Sequence, residues 1–222
     1  MVAHVYDLEV YKNGLWATFI PVDADKTALQ EYIDADIDKR WADKRAALLK
    51  LNPKIFKIFG EQNDLRELVN FVYESTVLIG YNNKMYDNLI IDFLCIKYDT
   101  FRFKPVSFIT NACYELSQLI IASQGINVRY THSAFRKYSH PYQSVDLMSL
   151  CLENTERKSL KQLAINLKWY RIQDLPFHYT AEITFDQDAD VLDYNVNDVL
   201  ITLALYTHQL EIVKLRVELS NL

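Results

Sequence analysis

Val2-Ala3-His4-Val5-Tyr6-Asp7-Leu8-Glu9 and Leu15-Trp16-Ala17-Thr18-Phe19-Ile20-Pro21-Val22, joined through Lys12-Asn13-Gly14, decide the fold class. Both runs are rich in β-branched and aromatic residues, and Asn-Gly between two such runs signals a β-hairpin. The chain therefore opens in a sheet. Residues i and i+2 of a strand share a face, so Asp7 and Glu9 project together from a strand whose neighbours are apolar. Like charges that close raise each other's pKa unless a cation neutralises them, which makes the pair a candidate metal site. Taken alone, two acids near a strand end also describe a solvated edge.

Outward from the hairpin, Lys26 to Leu51 carries apolar residues at helical spacing (Leu29, Ile33, Ile37, Trp41, Ala46, Leu49) and is closed by Pro53; it reads as one helix or two. Ile55–Phe59 reads as a short strand and Asp64–Tyr73 as a helix with Leu65, Leu68, Val69 and Val72 inward. Val77–Tyr81 reads as a buried strand and Asn88–Tyr98 as a helix. Residues 99 to 144 read as long loops around a helix from Asn111 to Ser123, with aromatic and basic residues interleaved at Phe101–Lys104 and Phe135–Tyr138. Ser144–Leu150 is a short apolar element and Ser159–Leu167 a helix. One long helix is expected from Asp188 to Leu219, repeating Val191, Tyr194, Leu200, Leu203, Leu210 and Leu215. A hairpin followed by alternating helices and strands predicts an α/β or α+β domain with a mixed sheet.

Composition excludes several classes. At 222 residues and 50% hydrophobic content the chain has ample material for one packed domain. Its four glycines stand singly, so no glycine-rich phosphate loop can be written. Cys95, Cys113 and Cys151 are far apart and odd in number, which argues against a disulfide framework or zinc ribbon and for a reducing compartment. No run reaches the roughly 18 apolar residues of a membrane span, so a soluble intracellular protein is expected. With a net charge of −5, any nucleic-acid partner must be held by local basic patches.

Two further constellations join Asp7 and Glu9. Asn82-Asn83-Lys84-Met85-Tyr86-Asp87 is a polar turn after a buried strand that ends in an acid at a helix start, where Asp also serves as a cap. Tyr194 and Asp198 stand at i and i+4 on the last helix and share a face; read singly, they are a core tyrosine and a surface charge. Asp7-x-Glu9 on the first strand of a hairpin, Gly80-Tyr81-Asn82-x-x-x-Tyr86-Asp87 after a central strand, and Tyr194-x-x-x-Asp198 in the last helix, in that order, resemble the three motifs of DEDDy-type 3′→5′ exonucleases. The likeness is greatest to the proofreading domain of phage-type family B DNA polymerases. It extends to Ser144-Val145-Asp146-Leu147, Ser159-Leu160-Lys161-Gln162-Leu163 and Pro176-Phe177, and so covers nearly the whole chain as a single domain.

The resemblance implies a ribonuclease H-like fold, which narrows the class to α/β, a mixed sheet flanked by helices, and two divalent cations, Mg²⁺ or Mn²⁺. By carry-over Asp7 bridges both ions, Glu9 and Asp198 complete the tighter one, and Asp87 holds the second. Tyr194 orients the attacking water. Asn82 and Tyr86 grip the 3′-terminal nucleotides, with Ser159 and Leu160 as a third contact segment. The implied activity is release of 5′-mononucleotides from single-stranded or mismatched DNA 3′ ends, with a polymerase domain in the same or another chain as partner. The implied place is the cytoplasm of a bacterium or a phage-infected host. The basic and aromatic clusters Phe101–Lys104 and Arg136–Tyr138 extend the strand's groove or are plain surface loops. The chain departs from the family pattern at Val10, where many relatives carry threonine. It departs again in Phe177-His178-Tyr179-Thr180, which lacks the lysine of protein-primed relatives; His178 there reads as a structural histidine. No polymerase palm motif is present, so the chain is expected to be either an excised exonuclease domain or a stand-alone nuclease, and the long helix running to Ser220-Asn221-Leu222 favours an excised or truncated piece. The other readings are a DEDD-fold module that binds a strand or a protein without cleaving, and a DEDDy ribonuclease.

Overall fold

The computed structural model describes residues 3–75, 77–123, 128, 132–135, 138–150, 158–211 and 215. Arg136, Lys137, Cys151 and the expected helix beyond residue 215 lie outside them. The hairpin forms as expected: β1 (Ala3–Tyr11) pairs antiparallel with β2 (Gly14–Pro21), with Asp7 opposite Thr18 and Glu9 opposite Trp16. β3 (Lys54–Phe59) adds antiparallel to β2, and the two-residue β4 (Gln62–Asn63) to β3. On the other side β5 (Val77–Gly80) pairs parallel with β1, and β6 (Gln143–Asp146) parallel with β5. Among the described residues the order is β4-β3-β2-β1-β5-β6. A mixed sheet with the hairpin at its centre, β2 reversed, and parallel strands added beyond β1 is the ribonuclease H-like arrangement.

Helices cover both faces. α3 (Leu65–Glu74), α4 (Asp87–Phe101) and α5 (Val106–Ala122) lie over the face that receives Tyr6, Leu8 and Val10. The opposite face receives Val5 and Ile20; it is covered by α1 (Lys26–Ile37), α2 (Trp41–Lys50), α6 (Leu160–Asn166) and α7 (Asp188–His208). The period of β1 therefore turns Asp7 and Glu9 towards α7. The N-terminus of α7 is tied to the sheet by Asp188, which accepts Trp16 Nε1 at 2.7 Å and Lys57 Nζ at 2.8 Å.

Three expectations need correction. The stretch from Lys26, expected as one helix or two, is two helices broken at Asp38-Lys39-Arg40, where Lys39 takes a φ of 58°. Its expected apolar stripe is largely outside: Ile37, Trp41 and Leu49 are 58–68% exposed, while Ala28, Tyr32, Ala35, Asp36, Lys44 and Ala47 are buried. The buried pair Asp36 and Lys44 belongs to a charge cluster that turned the helices away from the apolar period. Residues 99 to 144 hold less loop than expected, because α4 runs to Phe101 and α5 starts at Val106 directly after Pro105, whose fixed φ suits a helix start. The last helix is interrupted by a turn at Gln209 after running Asp188–His208; Leu210, Glu211 and Leu215 are helical again, and Leu215 is 55% exposed.

Candidate metal centre

Asp7, Glu9 and Asp198 are half-buried, and each offers a carboxylate oxygen such that all three lie within 4.8 Å of one another. β1 supplies the first two from adjacent same-face positions, and α7 brings Asp198 across the layer. Asp87, at the first residue of α4, is buried and stands beside this trio, close enough for its charge to act on both Asp7 and Glu9. Its carboxylate accepts the backbone N–H groups of Leu8 and of Asp87 itself, which fixes it against the middle of β1. All four expected acids are thus brought together.

Their electrostatics follow from that convergence. Burial, then the charges of Asp87, Glu9 and Asp198, push the Asp7 carboxyl well above the usual range. Burial, then Asp198 and Asp87, do the same to Glu9. Burial lifts Asp87 to about 7 and Asp198 to about 6. The cations that oppose this from outside are Lys161, which acts on Glu9 and Asp198, and Arg171, which acts on Asp198. Lys161 is itself paired with Asp174 at 2.7 Å. An all-oxygen, multi-carboxylate donor set with too little cationic charge around it fits hard divalent cations.

The Tyr194 hydroxyl stands beside the Asp198 carboxylate, and burial pushes its own pKa upward, so it stays protonated. Asn82 adopts left-handed backbone, φ 59°, and its N–H donates to Asp146 Oδ1 at 2.9 Å. Gly80 is needed just before this turn, since a Cβ there would lie 2.6 Å from the Asn83 side chain, which packs beneath. The Tyr86 hydroxyl bonds Ser117 Oγ at 2.7 Å and lies near enough to feel Asp87, Glu9 and Asp7. Ser159 caps α6 in a capping box with Gln162, and Leu160 packs half-buried against the α7-side core. The Tyr81 hydroxyl donates to the Lys158 carbonyl, joining the turn after β5 to the start of α6.

Other expected residues fall outside the centre. Phe101 is core at 3% exposure, not groove. Arg102 lies over Phe103 and pairs with Asp99, and Lys104 lies over Phe108. His178 bonds Thr180 within an exposed turn, as a structural histidine does. Cys95 and Cys113 sit in the core as small apolar residues do, their thiols pushed up to about 12 by burial. Sequence reasoning gave no role to Asp146, which also accepts the Met148 N–H, to Lys161 or to Asn195. Their partners are distant in the chain, and no local pattern announces them. No family model, curated protein or solved structure matches the chain. No helix among the described residues is long and apolar enough to cross a membrane.

Proposed function

We propose that the chain is a metal-dependent 3′→5′ exonuclease that removes 5′-mononucleotides from single-stranded or mismatched DNA 3′ ends, as the DEDDy proofreading domain of a phage-type family B DNA polymerase. The observation that carries this reading is the convergence of Asp7, Glu9, Asp87 and Asp198 from three separated elements of a ribonuclease H-like sheet, with the Tyr194 hydroxyl on Asp198. Asp7, Glu9 and Asp198 would hold one divalent cation and Asp87, with Asp7, a second. When bound, a Mg²⁺ or Mn²⁺ pair supplies a more acidic attacking water and charge neutralisation at the leaving 3′ oxygen.

The protein's own groups do the rest. Tyr194, kept protonated, orients the water by a hydrogen bond. Asn82 and Tyr86 flank the acids on the β5–α4 turn and would grip the terminal nucleotide, with Ser159 and Leu160 contacting the strand behind it. A proofreader needs phosphate contacts and stacking rather than base readout, which suits a turn of amide and aromatic side chains. Frayed or mismatched ends are favoured because their unpairing cost is already met. The reading puts the protein in the cytoplasm of a bacterium or infected host, with a polymerase domain in the same or another chain as partner.

The test is a gel of single strands labelled at either end, as DNA and as RNA, with Mg²⁺, Mn²⁺ or EDTA. The expected result is metal-dependent loss from the 3′ end of DNA. Equal attack on RNA would make the protein a ribonuclease, binding without cleavage a silent module, and loss from the 5′ end would end the assignment.

A further inference from the structure

Asn195 is wholly buried on α7, one residue after Tyr194 and three before Asp198, and thus on the flank of the helix that faces β1. Its Nδ2 donates to Asp7 Oδ2 at 2.9 Å. Its Oδ1 is buried and has no hydrogen-bond partner. With a cation bound Asp7 would be ionised and offer only acceptors, so the amide nitrogen would have to face it, as it does here. A side chain that pairs one half of its amide and leaves the other without a protein donor is a poor choice for packing alone, because a buried acceptor without a donor destabilises the fold. Leucine has the same branching and the same number of side-chain heavy atoms, and leaves no polar group unpaired. What asparagine adds at this position is the single bond to Asp7.

We propose that Asn195 is a positioning residue that holds the Asp7 carboxylate in place for the divalent cations. The proposal rests on the metal-centre reading above. Asp7 stands among three other acids that repel it, so without an anchor its side chain is driven to turn away from the cluster. The Asn195 bond opposes that rotation with a neutral donor, which orients the ligand without competing with the cations for it. Groups of this kind behind a metal ligand set affinity: their loss costs about 10–100-fold in metal binding or activity.

The test compares the full chain with Asn195→Leu by melting in EDTA, by calorimetric titration with Mn²⁺, and by strand cleavage across Mn²⁺ concentrations. Asn195→Leu should melt in EDTA at the wild-type temperature or above. It should bind Mn²⁺ about 10–100-fold more weakly, and cleavage should recover as Mn²⁺ is raised. Wild-type Mn²⁺ affinity in the variant overturns the proposal, and so does a much lower melting temperature in EDTA with unchanged affinity. Should Asn195→Leu not fold, Asn195→Ala, which removes the donor without adding bulk, decides: it must bind Mn²⁺ more weakly than wild type, and wild-type affinity overturns the proposal. If wild type itself takes no Mn²⁺, the metal-centre reading fails and this inference with it; if wild type binds and the variants match it, only the inference fails.

Discussion

Asp87 and Asp198 carry the clearest consequence at the scale of single residues. Burial lifts Asp87 from the ordinary 3.8 to about 7 and Asp198 to about 6, so the metal-free folded protein keeps protons that the unfolded chain releases. Stability from such groups is fully present below the unfolded value and is lost as pH rises through the folded values. In EDTA the melting temperature should therefore fall between about pH 4 and pH 7. The stabilisation by Mn²⁺ should run the other way and shrink below about pH 6, because the cation needs ionised ligands. Melts across this range, with EDTA and with Mn²⁺, check both slopes; a metal-free stability that rises from pH 4 to 7 would mean the acids are not buried together. Tyr194 and Asp198 give a second residue-scale outcome. Tyr194→Phe removes the hydroxyl that would orient the water and that stands at the Asp198 carboxylate, so it should slow cleavage by about 10–100-fold while weakening Mn²⁺ binding far less than loss of a ligand does. Asp198→Ala removes a ligand, so both cleavage and Mn²⁺ binding should collapse, and equal effects of the two variants in both assays would contradict the assigned roles.

The elements divide into those whose pattern is local and those set by remote partners. The β1–β2 hairpin, β5, α3 with Leu65, Leu68, Val69 and Val72 inward, the shared face of Asp7 and Glu9 and that of Tyr194 and Asp198 were legible in sequence, because alternation, Asn-Gly and i, i+4 spacing are properties of neighbours; that Asp87 and Asp198 would meet the first pair came only from the family resemblance. The burial of α1 and α2 was not. Lys44 Nζ bonds Asp36 at 2.5 Å and Asp193 at 2.6 Å, while Arg171 reaches the same two carboxylates at 2.8 and 2.9 Å. The Tyr170 hydroxyl also donates to Asp36. Two cations and two carboxylates from α1, α2, α7 and the segment between α6 and α7 thus neutralise each other, pulling Asp36 and Lys44 inside and leaving Ile37 and Trp41 out. Burial of such residues is invisible to a hydrophobic period. Asn195 and Asp146 escaped for the same reason: each acts on a residue far away in the chain. Because Asp193 immediately precedes Tyr194, this cluster also braces the site-bearing helix. Lys44→Met breaks it from one side and should cost about 3 kcal/mol in urea unfolding, the low end for a buried pair since Asp193 is partly exposed. A loss within about 0.5 kcal/mol, the range of ordinary surface changes, would show that Arg171 alone suffices.

For the whole molecule, one sheet sets the geometry: β1 at its centre holds two acids, the β5–α4 turn at one side adds a third, and α7 lying across the layer adds the fourth. Such convergence is electrostatically unfavourable to the empty protein and is relieved by cations. The most direct test of that claim is thermal melting of wild type and Asp7→Asn, each with EDTA and with Mn²⁺. Asp7→Asn keeps the size of the side chain and an acceptor for Asn195 while removing one repelling charge, so in EDTA it should melt as high as wild type or higher. Wild type should gain about 2.7 kcal/mol at a hundredfold excess of Mn²⁺ over its Kd, and the variant should lose most of that gain together with cleavage. An Asp7→Asn protein that melts well below wild type in EDTA, yet responds to Mn²⁺ as wild type does, would contradict the account: Asp7 would then be a structural residue and the metal would bind elsewhere.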